Sequence, residues 1–168
     1  MIELERMGTS EWDQIVDGEP NPFGGVGEEL AWRAKERHFG IRDGDGRLLA
    51  AAGLVRADVR AGHGEPFAVA GLGGVIVTRS QRGRGLARAL VERALLLAPE
   101  LGVEHAMLFC LPHNVPLYER FGFHDVEGEI RAGQPGRTVT MPLGAMWRAL
   151  RPGAEWPPGA VEVLGEPF

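Results

Sequence analysis

Apolar positions follow two different periods along this chain, and the junction between them is its most informative place. Across 67–77 every residue is apolar or glycine, as a buried strand requires, with Gly71, Gly73 and Gly74 interrupting the run. From Gly85 the period becomes helical. Leu86, Leu90, Val91, Ala94, Leu95 and Ala98 share one face, Arg88 and Glu92 lie opposite, and Pro99 stops the run. The glycines weaken a strand unless a bulge or a close backbone approach needs them.

The remaining pattern is read the same way. Residues 2–6 alternate as a short strand. Thr9 or Ser10 is placed to cap a helix through Val16, with Glu11 and Asp13 in its first turn. The Pro- and Gly-rich stretch 19–25 breaks that helix, and 28–34 is expected to form a second short one. Strands over 36–42 and 48–61 join across Asp43-Gly-Asp-Gly46, a hairpin signal. Residues 105–111 have the length of a buried strand, and a helix of one to two turns follows, ending at Gly122. Segments 123–131 and 137–143 form a terminal strand pair. The Pro-rich tail 152–168 is expected to run extended across the body.

This order gives a mixed α/β fold with a single central sheet of about six to seven strands flanked by about four helices. One domain over 1–168 is expected, with its core in 1–143 and an extension over 144–168. The 168 residues are enough for a real hydrophobic core, and 44% hydrophobic with 24% charged residues is ordinary globular composition. A net charge of −5 argues against nucleic acid as the main partner. One cysteine excludes an internal disulfide, and no Cys/His spacing suits a metal. Met-Ile-Glu-Leu-Glu-Arg6 is not a signal sequence and no run is apolar enough for a membrane span, so the expected location is the cytoplasm, with no membrane partner.

The junction itself, Arg79-Ser-Gln-Arg-Gly-Arg-Gly85, places two glycines and several cations where a strand turns into a helix. Consecutive N–H groups at the positive end of a helix dipole suit a phosphate. A Walker A loop is excluded, because the only lysine, Lys35, is far away. A Gly-x-Gly-x-x-Gly fingerprint counted from Gly83 and Gly85 puts Arg88 in its third slot, although Glu100 and Glu104 stand near the spacing of a ribose partner. An ordinary turn with solvated arginines is the plain alternative.

The spacing Arg82-x-x-Gly85-x-Ala87 resembles the acyl-CoA-binding motif of the GCN5-related N-acetyltransferases, the GNAT family. Downstream, Leu117-Tyr118-x-x-x-Gly122-Phe123 resembles that family's second signature, in the correct register. The resemblance covers the elements from Ile2 to Leu143. It implies a bulged strand and a V-shaped opening that takes acetyl-CoA as co-substrate. By motif match, Val75, Ile76 and Val77 would pair with the pantetheine, and Arg82, Gly83, Arg84, Gly85, Leu86 and Ala87 would cradle the pyrophosphate. Tyr118, the only tyrosine, would be the general acid that protonates the departing thiolate.

Two departures from the family pattern stand out. Leu111 replaces a common Asn seven residues before the tyrosine, and Asn114 is instead either a cofactor contact or a helix cap. The strand glutamate that many members use to deprotonate the acceptor is absent from Ala70-Gly-Leu-Gly-Gly74. His113 is the first candidate for that base, with His105, Glu104 and the terminal carboxylate behind it. Cys110 reads as inert core rather than a nucleophile.

The implied acceptor is a small-molecule or peptidyl amine. Glu28, Glu29, Asp125, Glu127 and Glu129 fall in the segments that form acceptor pockets in the family. The stretch from Arg137 to Leu143 with its Trp-containing tail is faintly similar to aminoglycoside 2′-N-acetyltransferases. A homodimer is compatible with this reading. The alternatives are an acyl-CoA-binding module that has lost transfer and, more remotely, a nucleotide-binding oxidoreductase.

Overall fold

The computed structural model describes residues 1–168. In chain order the elements are β1 (Ile2–Leu4), α1 (Thr9–Val16), β2 (Arg37–Arg42), β3 (Leu48–Ala61), β4 (Phe67–Val77), α2 (Leu86–Leu97), β5 (His105–Cys110), α3 (Val115–Glu119), β6 (His124–Asp125), β7 (Ile130–Gln134), β8 (Arg137–Thr140), β9 (Gly144–Ala149) and β10 (Val161–Val163). This is a mixed α/β fold with one sheet, as the pattern predicts. It has ten strands rather than six or seven, and three α-helices rather than four. No helix is long and apolar enough to cross a membrane.

The sheet runs β6-β9-β5-β4-β3-β10-β7-β8, with β2 also on β3 and β1 on β2. The long β3 makes this branching possible. Its first half pairs antiparallel with β2, and its far end, Val59 to Ala61, pairs antiparallel with β10. The β2–β3 turn holds because Asp43 Oδ1 accepts from the N–H groups of Asp45 and Arg47, at 3.0 and 2.9 Å. The helix α2 buries Leu90, Val91, Ala94 and Leu97 against a cluster that includes Phe39, Leu54, Leu72, Leu108 and Tyr118. That packing fixes the start of α2 relative to the end of β4.

Three expectations are corrected. Residues 28–34 form no helix. Gly24, Gly25 and Gly27 take positive φ, and the backbone beyond them is claimed by distant partners: Ala31 N–H donates to Gln134 Oε1 at 2.7 Å and Arg33 N–H to the Pro167 carbonyl at 2.7 Å. The expected strand 123–131 is two strands. β6 ends one edge on β9, while β7 joins β8 and β10 at the far side, with Gly128 at φ 83° between them. The tail is no appendage, since β9 pairs with β5 over its whole length and β10 bridges β3 and β7. A smaller difference lies at α1, whose N-cap is Gly8; its N–H donates to Glu11 Oε2 at 3.2 Å.

Candidate active site

The site begins with an irregularity in β4. Gly73 lies opposite Gly53 and Ile76 opposite Ala51, so Gly74 and Val75 share the single partner Ala52. This is a β-bulge, and Gly74 takes φ 61°, a conformation that glycine adopts at little cost. β4 pairs in parallel with β5 only from Val69 to Leu72, against His105 to Leu108. Beyond that point the strands part. Between them opens a cleft of about 630 Å³ whose walls include Gly74, Val75, Arg82, Asn114 and Tyr118.

The loop after β4 turns into α2 through Gly83 at φ 77° and Gly85 at φ 80°. A Cβ at either would meet no protein atom within 4 Å, so backbone conformation, not crowding inside the protein, requires glycine. The first bond onto the Gly85 carbonyl comes from Ala89 N–H at 3.1 Å. The N–H groups of the first helical turn therefore point out of the helix with no carbonyl before them, the arrangement that receives an anion. Arg84 is exposed on this loop.

Arg82 is committed differently. Its Nε donates to the Val77 carbonyl at 3.1 Å and its guanidinium is bidentate on Glu19, with Nη1 to Oε1 at 2.9 Å. The pairing holds the Glu19 carboxyl below its ordinary range. Arg82 thus clamps the loop between β4 and the segment after α1.

Tyr118 lies on the short α3, which Pro116 opens and Gly122, at φ 76°, closes. The closing turn uses the Tyr118 carbonyl, which accepts from Phe121 and Phe123 N–H at 2.9 and 3.3 Å. It brings Phe123 edge-on to the Tyr118 ring, with centroids 6.0 Å apart. Tyr118 is 5% exposed, and burial, then the neighbouring Cys110 thiol, hold its phenol above the ordinary 10.0. It is a fully protonated donor at neutral pH. Burial likewise pushes Cys110 up to about 11, so it carries almost no thiolate and stays inert. His113 is exposed at the cleft rim. Asn114 lines the cleft and stands at the N-cap of α3, but its side chain makes no capping bond there.

Where the family pattern would put a strand acid, the face of β4 is bare. Gly71 and Gly73, two residues apart, point to the same side. Other residues fill the vacancy. A Cβ on Gly71 would stand 2.5 Å from the Phe168 ring, and one on Gly73 would stand 2.6 Å from Lys35 Cε, 2.8 Å from the Phe168 main-chain carbon and 3.0 Å from Lys35 Nζ. Phe168 is 2% exposed and leans on Phe109, with centroids 5.4 Å apart, and Phe109 meets Trp32 edge-on at 6.3 Å. These aromatics form one wall of the cleft, with Trp12 and Phe23 further along it.

Several sequence candidates lie elsewhere. His105 is buried among Phe67, Trp147 and Trp156, and its Nε2 is 2.8 Å from the Glu155 carbonyl. Glu104 pairs with Arg151 on the outside. Of the five acidic residues expected at the acceptor, Glu28 lines the cleft; Glu29, Asp125, Glu127 and Glu129 do not, and the second carboxylate there is Glu19. The terminal carboxylate, by contrast, belongs to Phe168, which lines the cleft with its main-chain carbon against Gly73; Lys35, Glu19 and the Phe168 ring are lining groups that the sequence pattern does not single out. The available signal was the pair of glycines on one face of β4, which leaves room that something must occupy.

A family model described as an acetyltransferase (GNAT) domain matches residues 4–126, well over half of the chain. A comparison with curated proteins gave no match. Among solved structures, the GNAT family N-acetyltransferase YhbS from Escherichia coli, in complex with CoA, superposes with a TM-score of 0.52 at 22% identity, covering 95% of this chain and 78% of that one. A GNAT superfamily phosphinothricin acetyltransferase from Sinorhizobium meliloti, in complex with AcCoA, gives 0.51 at 18% identity over 73% and 65%. A GCN5-related N-acetyltransferase from Kribbella flavida is 28% identical over 54% of this chain, which spans 22% of that protein's length, with a TM-score of 0.47. The two superpositions above 0.5 have the same fold, and the family match spans both the bulged strand and the Tyr118 turn: the chain belongs to the GNAT acetyltransferase family.

Proposed function

We propose that the protein transfers the acetyl group of acetyl-CoA directly to an amine of a small molecule or peptide. The observation that carries this is the parting of β4 from β5 at the Gly74 bulge, with Tyr118 in the same cleft. A pantetheine chain adds to the free edge of β4 at Val75, Ile76 and Val77 as an extra strand would. The N–H groups from Gly83 to Ala87 and the charge of Arg84 hold the pyrophosphate at the start of α2, while Arg82, paired with Glu19, keeps the loop in place. Leu86 is the first residue of that helix, so its N–H is among those left free at the N-terminus.

This placement lays the thioester beside the bulge. The acceptor's neutral nitrogen attacks the carbonyl carbon, the C–S bond breaks, and the Tyr118 hydroxyl gives its proton to the leaving thiolate. His113 at the rim relays the proton lost by the acceptor to solvent. The aromatic wall of Trp12, Phe23, Trp32, Phe109 and Phe168, with the Glu28 carboxylate among it, favours an amine carried on an apolar or aromatic body.

The test is free-thiol release from acetyl-CoA across a panel of amines, with calorimetric binding of acetyl-CoA alongside. Thiol release that depends on an amine supports transfer. Binding without turnover on any amine favours the acyl-CoA-binding module, the reading that the missing strand acid supports. No binding removes both.

A further inference from the structure

Lys35 is the only lysine in the chain, and its position is unusual for one. It lies just before β2, and its side chain crosses the faces of two strands at glycines. A Cβ on Gly53 would stand 2.5 Å from its Cγ, and one on Gly73 would stand 2.6 Å from its Cε. Glycine at both positions leaves the channel through which the side chain runs. Its end reaches the residue before Gly74, where β4 has just lost its pairing with β5.

The ammonium lies close to the Phe168 carboxyl, since a Cβ at Gly73 would meet the Phe168 main-chain carbon at 2.8 Å and Lys35 Nζ at 3.0 Å, but the two are not within ion-pair distance. Nζ donates to the Arg33 carbonyl at 3.1 Å, and none of the ion pairs in the protein includes it. Lys35 lines the same cleft as Tyr118, Cys110 and Gly74. A lysine drawn out of water titrates early, and a carboxylate close by opposes that drift. Burial, aided by the Arg33 charge, brings this one from 10.5 down to about 8. Near neutral pH a useful fraction is therefore the free amine, the form that attacks acyl groups.

We propose that Lys35 is itself an acetyl acceptor, so that the protein acetylates its own cleft in cis. This rests on the acetyl-CoA reading above. The Lys35 ammonium first gives one proton to solvent. The Nζ lone pair then attacks the thioester carbonyl, the N–C bond forms and the C–S bond breaks with its electron pair on sulfur. Sulfur takes a proton from Tyr118, which solvent replenishes, and the nitrogen releases its second proton to solvent. The products are an Nε-acetyl-lysine, CoA thiol and one net proton. The product removes the only ammonium lining the cleft, which changes the charge that an incoming acceptor meets.

The experiment incubates the full chain with acetyl-CoA as the sole acyl donor and no added amine, near pH 8. Intact-mass spectrometry and peptide mapping follow the label. Wild type is compared with Lys35→Arg, Lys35→Met, Gly85→Glu and heat-denatured wild type, and circular dichroism establishes that each variant is folded. The expected result is one acetyl group on Lys35, formed roughly tenfold or more faster than on the denatured chain, because the two groups are held together. The rate constant is independent of protein concentration, both Lys35 variants stay unlabelled, and Gly85→Glu falls to the denatured rate.

Label confined to the Met1 amine or to Cys110, with acetyl-CoA binding intact by calorimetry, overturns the proposal and leaves the cofactor reading standing. Acetylation of Lys35 at the denatured rate, or at a rate rising in proportion to protein concentration, also overturns it. Absence of acetyl-CoA binding overturns both.

Discussion

Replacing Gly71 with alanine tests whether the Phe168 ring occupies the bare face of β4. Gly71 does not have positive φ, so the backbone accepts alanine, and the whole penalty comes from contact. The new methyl would stand 2.5 Å from two ring atoms of Phe168, about 1 Å inside normal carbon–carbon separation. The ring has little freedom to yield, being 2% exposed and packed against Phe109. Overpacking of this kind costs about 1–3 kcal/mol, and ejecting the ring altogether forfeits about 1.5–3 kcal/mol of burial. Against this, alanine regains about 0.5–1 kcal/mol through the smaller entropy of its unfolded chain. The net expectation is a loss of about 1–2 kcal/mol, or a Tm lower by about 2–8 °C for a chain of this length. Urea and thermal unfolding measure it. A double-mutant cycle then separates contact from coincidence, because Phe168→Ala must cost less in the Gly71→Ala background than in wild type. An unchanged or raised Tm for Gly71→Ala, or strict additivity in the cycle, would refute the packing of Phe168 on β4.

Three further outcomes are expected. Tyr118→Phe lowers amine-dependent thiol release by roughly a hundredfold, near the low end for loss of a general acid, with acetyl-CoA affinity unchanged by calorimetry; unaltered turnover rejects the acid role. Gly85→Glu abolishes acetyl-CoA binding, because it forces a side chain onto φ 80° and sets a carboxylate where the pyrophosphate is received; retained tight binding rejects the cradle. For Lys35 the folded value of about 8 lies below the unfolded 10.5, so the unfolded chain binds the extra proton within that window and wild-type stability rises with pH there. Lys35→Met keeps the aliphatic stem across Gly53 and Gly73 and lacks this penalty. It is more stable than wild type at neutral pH, and its advantage shrinks between pH 8 and 10.5; an advantage that stays flat across that window contradicts the burial of the ammonium.

The elements that carry their own local signal were readable from the chain. β4 and α2 stand where the change of period puts them, and the glycines that interrupt β4 mark the bulge. What was not readable depends on partners far away in sequence. The segment Glu-Glu-Leu-Ala-Trp-Arg-Ala34 has helical composition, yet Gln134 and Pro167 take its backbone groups and Trp32 Nε1 donates to the Gly27 carbonyl at 2.9 Å. β9 looked like the start of a tail because nothing local announces pairing with β5. Arg82 and Tyr118, singled out by motif spacing, both line the cleft, and so does Asn114, which departs from the motif. Lys35 and the ring of Phe168 were not readable, because what defines them is the space above Gly71 and Gly73, which only the folded sheet creates. The acidic acceptor residues failed for the same reason, as sequence position places a carboxylate in a segment but not on the inner side of it.

The most direct test of the account is a crystal structure with coenzyme A bound. The diphosphate is expected on the N–H groups between Gly83 and Ala87, with the pantetheine along Val75 to Val77 and the sulfur within hydrogen-bond reach of the Tyr118 hydroxyl. Coenzyme A seated outside the gap between β4 and β5, or with its sulfur turned away from Tyr118, would contradict it.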